Sequence, residues 1–181
     1  APILDATSNK QAVLETYGSQ ALHTKPCFGG GFINFGYWQS INLQEKISLA
    51  DRTRASLQLY HQVFSHLPLD NTNLKILEIG CGLGNGCMEL NHKYPKIEVH
   101  GIDISPDQIR RAKEKFSNEL QVNQNIQFSV GNADKTSFEN ATFDHIYVVE
   151  AAQYFPSITQ FAKEAYRILK PGGHLVLTAH F

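Results

Sequence analysis

What this 181-residue chain lacks narrows it first. Its 16 Lys and Arg stand against 17 Asp and Glu, a formal charge of −1. It therefore has no basic surplus of the kind that neutralises a nucleic-acid backbone, and no nucleic-acid partner is expected. No apolar run approaches the ~18 residues that a bilayer span needs, so no stable membrane insertion is expected. The start, Ala1-Pro-Ile-Leu-Asp5, has neither the basic nor the apolar region of a secretory signal. Cys27, Cys81 and Cys87 lack metal-ligand spacing, and their odd number argues against a disulfide framework. A reduced, cytoplasmic setting is the expectation. Among the 8 histidines no pair has the i, i+4 spacing of a helical zinc site, and no metal is expected. Repeats and low-complexity tracts are absent, and the length suits one domain with ample core.

What is present begins with Lys75-Ile-Leu-Glu-Ile-Gly-Cys-Gly-Leu-Gly84. This run opens as an apolar strand, sets a carboxylate at Glu78, and turns through Gly80, Gly82 and Gly84. Such a turn lets a ligand approach the backbone and points amide N–H groups into a cleft. The next apolar strand ends before Asp103, about 20 residues past Gly82, the spacing of a βαβ ribose site whose carboxylate accepts from both hydroxyls. An adenosine-type cofactor is expected. A dinucleotide turn needs G-x-G-x-x-G, yet the third glycine position holds Asn85 counted from Gly80, and Cys87 counted from Gly82.

Strands are predicted at 75–79, 97–102, 126–130, 144–149 and 174–180. Leu43, Ile47, Ala50, Leu57, His61 and Phe64 recur at helical spacing ahead of Pro68. Ser105 is an N-cap candidate followed by Pro106, with Ile109, Ala112 and Phe116 as the buried stripe. Ile158, Phe161, Ala165 and Ile168 form the stripe of a last helix that Lys170-Pro-Gly-Gly173 ends. Alternating strands and helices predict an α/β fold with a parallel sheet and helices on both faces. Residues 1–70 read as N-terminal helices with a covering loop, and residues 71–181 as the α/β core.

The pattern Glu78-x-Gly80-x-Gly82-x-Gly84 resembles motif I of the class I S-adenosylmethionine-dependent methyltransferases. His100-Gly-Ile-Asp-Ile-Ser-Pro-Asp-Gln108 resembles their second motif, and Gly131-Asn-Ala-Asp134 their adenine-recognition segment. Phe143 to Glu150 and Glu164-x-x-Arg167 to Gly173 are similar to the fourth strand and the turn before the fifth. The resemblance covers Leu74 to Phe181. It implies a Rossmann-like, doubly wound parallel sheet of order 3-2-1-4-5 with an N-terminal helical lid. The family's later strands are absent, so the chain is expected to be the N-terminal part of a longer protein. It also implies S-adenosyl-L-methionine as cofactor. The implied cofactor residues in the core are Glu78, Gly80, Cys81, Gly82, Asp103, Ile104, Gln108, Asn132, Ala133, Asp134, Glu150 and Ala151. Asp134 would accept from the adenine amino group, and the Ala133 amide would donate to a ring nitrogen.

Phe28-Gly-Gly-Gly-Phe-Ile-Asn-Phe-Gly-Tyr-Trp38 resembles a loop of the type 11-like small-molecule methyltransferases. The likeness implies that Asn34, Gly36 and Tyr37 line the cofactor, with Tyr17 as a lid residue; the rings also read as a hydrophobic plug. Glu150-Ala-Ala-Gln-Tyr154 lies where amino-directed nucleic-acid methyltransferases carry Asn/Asp-Pro-Pro-Tyr/Phe, and it lacks that tetrapeptide. Glu150 and Tyr154 are catalytic candidates near the acceptor, although Glu150 also reads as a structural partner of loop amides. His180, ending the fifth strand, is the candidate base, whereas His145 begins strand four at the far end. The expected function is methyl transfer to a small organic acceptor (lipid, sugar or natural product) through an O or C nucleophile. Two rivals are a nicotinamide-dependent oxidoreductase, which the glycine spacing disfavours, and a non-catalytic binding module of the same fold. Nothing in the sequence fixes an oligomeric state.

Overall fold

The computed structural model describes residue 25 and residues 27–70 and 73–179. The first described helix, α1, is Leu49–Ser65. It starts where Ser48 Oγ accepts from the Asp51 amide at 3.1 Å and Asp51 Oδ2 accepts from the Ser48 amide at 2.9 Å. That reciprocal pair is a capping box, and it places the start six residues beyond Leu43, which is exposed. The buried stripe is also phased differently from the sequence reading: Ala55, Leu59, Tyr60, Val63 and Phe64 face inward, while Leu57 and His61 are half-buried.

Then follow β1 (Lys75–Ile79), α2 (Asn85–Lys93), β2 (Glu98–Asp103), α3 (Pro106–Lys115), α4 (Ser117–Val122), β3 (Ile126–Val130) and β4 (Phe143–Val149). A short 3-10 turn (Ala152–Tyr154), α5 (Ile158–Ile168) and β5 (Leu169–Thr178) complete the order. All strand pairs are parallel and the sheet order is β3-β2-β1-β4-β5, as expected. Ser105 caps α3 by accepting from the Gln108 amide, with Pro106 at the first helical position. The fifth strand begins earlier than predicted. Leu169 pairs with Phe143 and His174 with His145, so Lys170 to Gly173 form a bulge within the ladder.

Strand parity sorts the core into two layers. Ile76, Val99, Ile126, Phe128, Tyr147 and Val149 pack under α1, α2 and α3. Leu77, Ile79, Ile102, Ile146 and Val148 pack against Phe161, Ala165 and Ile168 of α5. Covering both faces leaves β1 and β4 buried almost throughout, as parallel strands require. The carboxyl ends of β1, β2 and β4 therefore open together at one edge, beside the point where strand order reverses.

Candidate functional site

The turn after β1 is fixed by the neighbouring strand: the Gly80 and Cys81 amides donate to Ile102 O at 2.8 and 3.0 Å. The next amide, Gly82, donates to Asp103 Oδ2 at 2.9 Å, and the Ser105 amide donates to Asp103 Oδ1 at 2.9 Å. Burial raises the Asp103 pKa, and the amides of Ser105, Gly82 and Ile104 oppose that shift. Amides thus engage both carboxylate oxygens and leave acceptor capacity for a further donor. Gly82 has φ +52°, and a Cβ on it would meet nothing closer than Ile33 Cδ1 at 4.0 Å. A side chain there would project into open space.

That space is a cleft open to solvent. Gly80, Gly82, Asp103, Ile104 and Gln108 border one side, and Asn132 and Ala133 another. Glu150, Ala151 and Tyr154 border the β4 side. Asp134, expected at the adenine, is not among the lining residues: its amide donates to Asn132 Oδ1 at 3.1 Å and its Oδ1 is buried without a donor. Burial raises the Asp134 pKa. Glu150 has φ +49°, and its Oε2 accepts the Phe35 amide at 2.7 Å. The sequence reading missed Ile33, Ser105, Val149, Phe155 and Pro156, which also line the cleft. The apolar run Tyr154-Phe-Pro156 directly after a cleft-side strand end was the available signal for the last two.

Glu78 is placed elsewhere. It stands two residues after Ile76 and so faces α1 and α2, fully buried and outside the cleft lining. Tyr60 donates to its Oε1 at 2.9 Å, and Tyr147 and Cys87 donate to its Oε2 at 3.0 Å each. Burial pushes its pKa up to about 7, against the pull of those three bonds. Cys81, too, lies in the core beside the turn, and burial pushes its thiol up to about 11. Asn34, Gly36 and Tyr37 lie along α1 and are not among the cleft-lining residues. The Tyr37 amide donates to Ala55 O at 2.8 Å, and a Cβ on Gly36 would stand 2.7 Å from the Ala55 Cβ. Phe32 packs against Tyr60 with tilted rings whose centroids are 5.5 Å apart. These rings pack as the plug reading expects, whereas Phe35 is half exposed.

Tyr17 and His180 lie outside the described residues. His145 is buried at the base of the sheet, its Nε2 near Pro68 O at 3.1 Å and its Nδ1 accepting the His174 amide at 3.3 Å. His100 pairs with Ser129 Oγ at 2.8 Å, and burial lowers its pKa to about 4. Neither borders the cleft. Glu164 binds Arg167 and the Thr136 amide, tying α5 to the segment after β3, and the Arg167 bond leads in drawing its pKa down to about 2.

Residues 76–173 match the sequence profile described as a methyltransferase domain, more than half of the chain. The chain belongs to the methyltransferase domain family. Among its relatives is the phthiotriol/phenolphthiotriol dimycocerosates methyltransferase of Mycobacterium leprae, 30% identical over 145 residues, 80% of this chain and 51% of the relative. Another is the erythromycin 3''-O-methyltransferase of Saccharopolyspora erythraea, 30% identical over 148 residues, 82% of this chain and 45% of the relative. This methyltransferase domain thus spans about half the length of the curated relatives it matches. The crystal structure of a geranyl diphosphate C-methyltransferase from Streptomyces coelicolor shares its fold. The TM-score is 0.74 at 16% identity, covering 93% of this chain and 64% of the other.

Proposed function

We propose that this domain binds S-adenosyl-L-methionine in the cleft and that the protein transfers its methyl group to a small organic acceptor through an oxygen or carbon nucleophile. The observation that carries the reading is Asp103, fixed at the cleft by the Gly82 and Ser105 amides with acceptor capacity left for the ribose. The residues fit the rest of the group. Gly82 leaves backbone bare where a side chain would enter the cleft, and a Cβ on Gly80 would stand 2.5 Å from the Ala151 Cβ. Asn132 and Ala133 border the far wall, where the adenine would lie, while Asp134, with its buried and donorless Oδ1, is not among the lining residues. Ile104 and Gln108 line the ribose side. Asn34, Gly36 and Tyr37 pack on α1 behind the cleft and would support the covering loop rather than touch the cofactor. Glu78 and Cys81 support the turn from beneath.

When bound, the cofactor supplies an electrophilic methyl on a sulfonium. The chain's own task is to hold nucleophile and methyl in line and dry, and orientation alone is worth effective molarities on the order of 10⁵ M or more. Tyr154 and Glu150 border the β4 side of the cleft, where the acceptor would lie; His180 remains the candidate base on the sequence. A balanced charge and the absence of the amino-directed tetrapeptide at 150–153 favour a small acceptor over nucleic acid. One relative is named for an O-methylation, which favours a hydroxyl. The reduced thiols Cys27, Cys81 and Cys87 suit the cytoplasm.

Calorimetry with S-adenosylhomocysteine and with NAD tests the reading: binding of the first and not the second is expected. Gly82→Ala should weaken S-adenosylhomocysteine roughly tenfold or more, about 1.4 kcal/mol, with native circular dichroism. Unchanged affinity in that variant would remove the assignment.

A further inference from the structure

The 28–38 loop is pinned on both sides of the cleft. On the near side Asn85, opening α2, donates from Nδ2 to Gly30 O at 3.2 Å, and Lys115 Nζ donates to Asn85 Oδ1. On the far side the Phe35 amide donates to Glu150 Oε2 at 2.7 Å, across 115 residues of sequence. Between the two pins, Ile33 enters the cleft lining. The loop thus lies over the space that the proposed ligand would occupy.

Glu150 is held in the left-handed region at φ +49°, which is unfavourable for any residue with a Cβ. Its amide donates to Thr178 O at 2.9 Å and its carbonyl accepts from Gln153 Nε2 at 2.8 Å. These bonds fix the bend from both sides. The bend in turn brings the carboxylate to the loop, where it meets a backbone N–H with good geometry.

We infer that Glu150 is a positioning residue whose carboxylate latches the 28–38 loop across the cleft through the Phe35 amide and sets how long a ligand stays. This goes beyond the proposed function and rests on it for the identity of the ligand. It also separates reach from charge, which a general base would not.

Two variants make that separation. Glu150→Gln keeps the reach and an accepting oxygen but loses the charge; Glu150→Asp keeps the charge but is one methylene short. The first readout is hydrogen exchange of the Phe35 amide in ligand-free protein. Exchange should be slow in the wild type and Glu150→Gln, and roughly tenfold faster in Glu150→Asp and Glu150→Ala. The second is the dissociation rate of S-adenosylhomocysteine in stopped flow. It should rise about tenfold in Asp and Ala and less than about threefold in Gln. Equal exchange in all four proteins, or a Gln variant that behaves as Ala does, overturns the latch. If the wild type does not bind S-adenosylhomocysteine, the cofactor reading falls, and the exchange measurement still decides the latch.

Discussion

The strands β1 and β2 run side by side, and each carries a carboxylate near its carboxyl end, yet the two occupy opposite kinds of surroundings. Asp103 closes β2 at the cleft, where backbone amides hold it and leave lone pairs open. Glu78 sits one residue short of the end of β1 and is sealed under α1 and α2 by Tyr60, Tyr147 and Cys87. Burial raises both acids, but only the amides around Asp103 act as part of the turn that shapes the cleft. The comparison teaches that a carboxylate in a glycine-rich turn takes its role from its donors and its strand parity, not from its distance to the glycines. One acid presents a ligand site; the other clamps a helix that carries the loop above it.

The clamp breaks most severely at Gly86, in the first turn of α2. A Cβ there would stand 2.1 Å from a Tyr60 ring carbon and 2.7 Å from Glu78 Oε1. Gly86→Ala should therefore lower stability by about 3 kcal/mol, although alanine is the better helix former by about 1 kcal/mol. Urea unfolding measures it, and a stabilised variant would disprove the close packing. Glu78→Gln sharpens the contrast through pH. The folded pKa is raised from 4.5 to about 7, so the folded state holds the proton more tightly and this stabilisation is fully present below pH 4.5. It is lost as pH rises to about 7, a fall of about 3 kcal/mol. The Gln variant should lack that slope in melts taken from pH 5 to 8, and a wild type equally flat over this range would reject the sealed-acid account. On the other strand, Asp103→Ala should cost about 2 kcal/mol of S-adenosylhomocysteine binding and leave the stability slope of Glu78 in place. Calorimetry and the same melts check both halves.

The sequence made the sheet legible because parallel strands buried on both faces read as short apolar runs between glycine and proline punctuation. β1 and β3 begin and end where the runs do, and β2 is displaced by one residue. It misplaced the start of α1 because Leu43 and Ile47 continue the helical spacing past the Ser48 capping box. It also took the Lys170-Pro-Gly-Gly173 turn for a stop, when the ladder to β4 resumes on both sides of it. At the cleft, Gly82 and Asp103 were readable as lining because each sits where a strand ends and a turn begins, and Ala133 through the family resemblance of its segment. Glu78 was not, since every residue of β1 from Ile76 to Ile79 is buried and alternation carries no contrast. The Phe35–Glu150 bond was invisible for another reason: it joins segments 115 residues apart through a backbone amide, which no side-chain pattern records.

The chain contains one tryptophan, and Trp38 donates from its indole Nε1 to the Phe35 carbonyl at 2.6 Å, with the Arg52 guanidinium 5.9 Å from the ring centroid. Phe35 thus accepts from the indole on one side and donates to Glu150 on the other. Emission excited where tyrosine is dark comes from this indole alone, so the protein carries its own optical gauge of the loop. A change in colour or anisotropy on adding a ligand would time the loop's movement without any label.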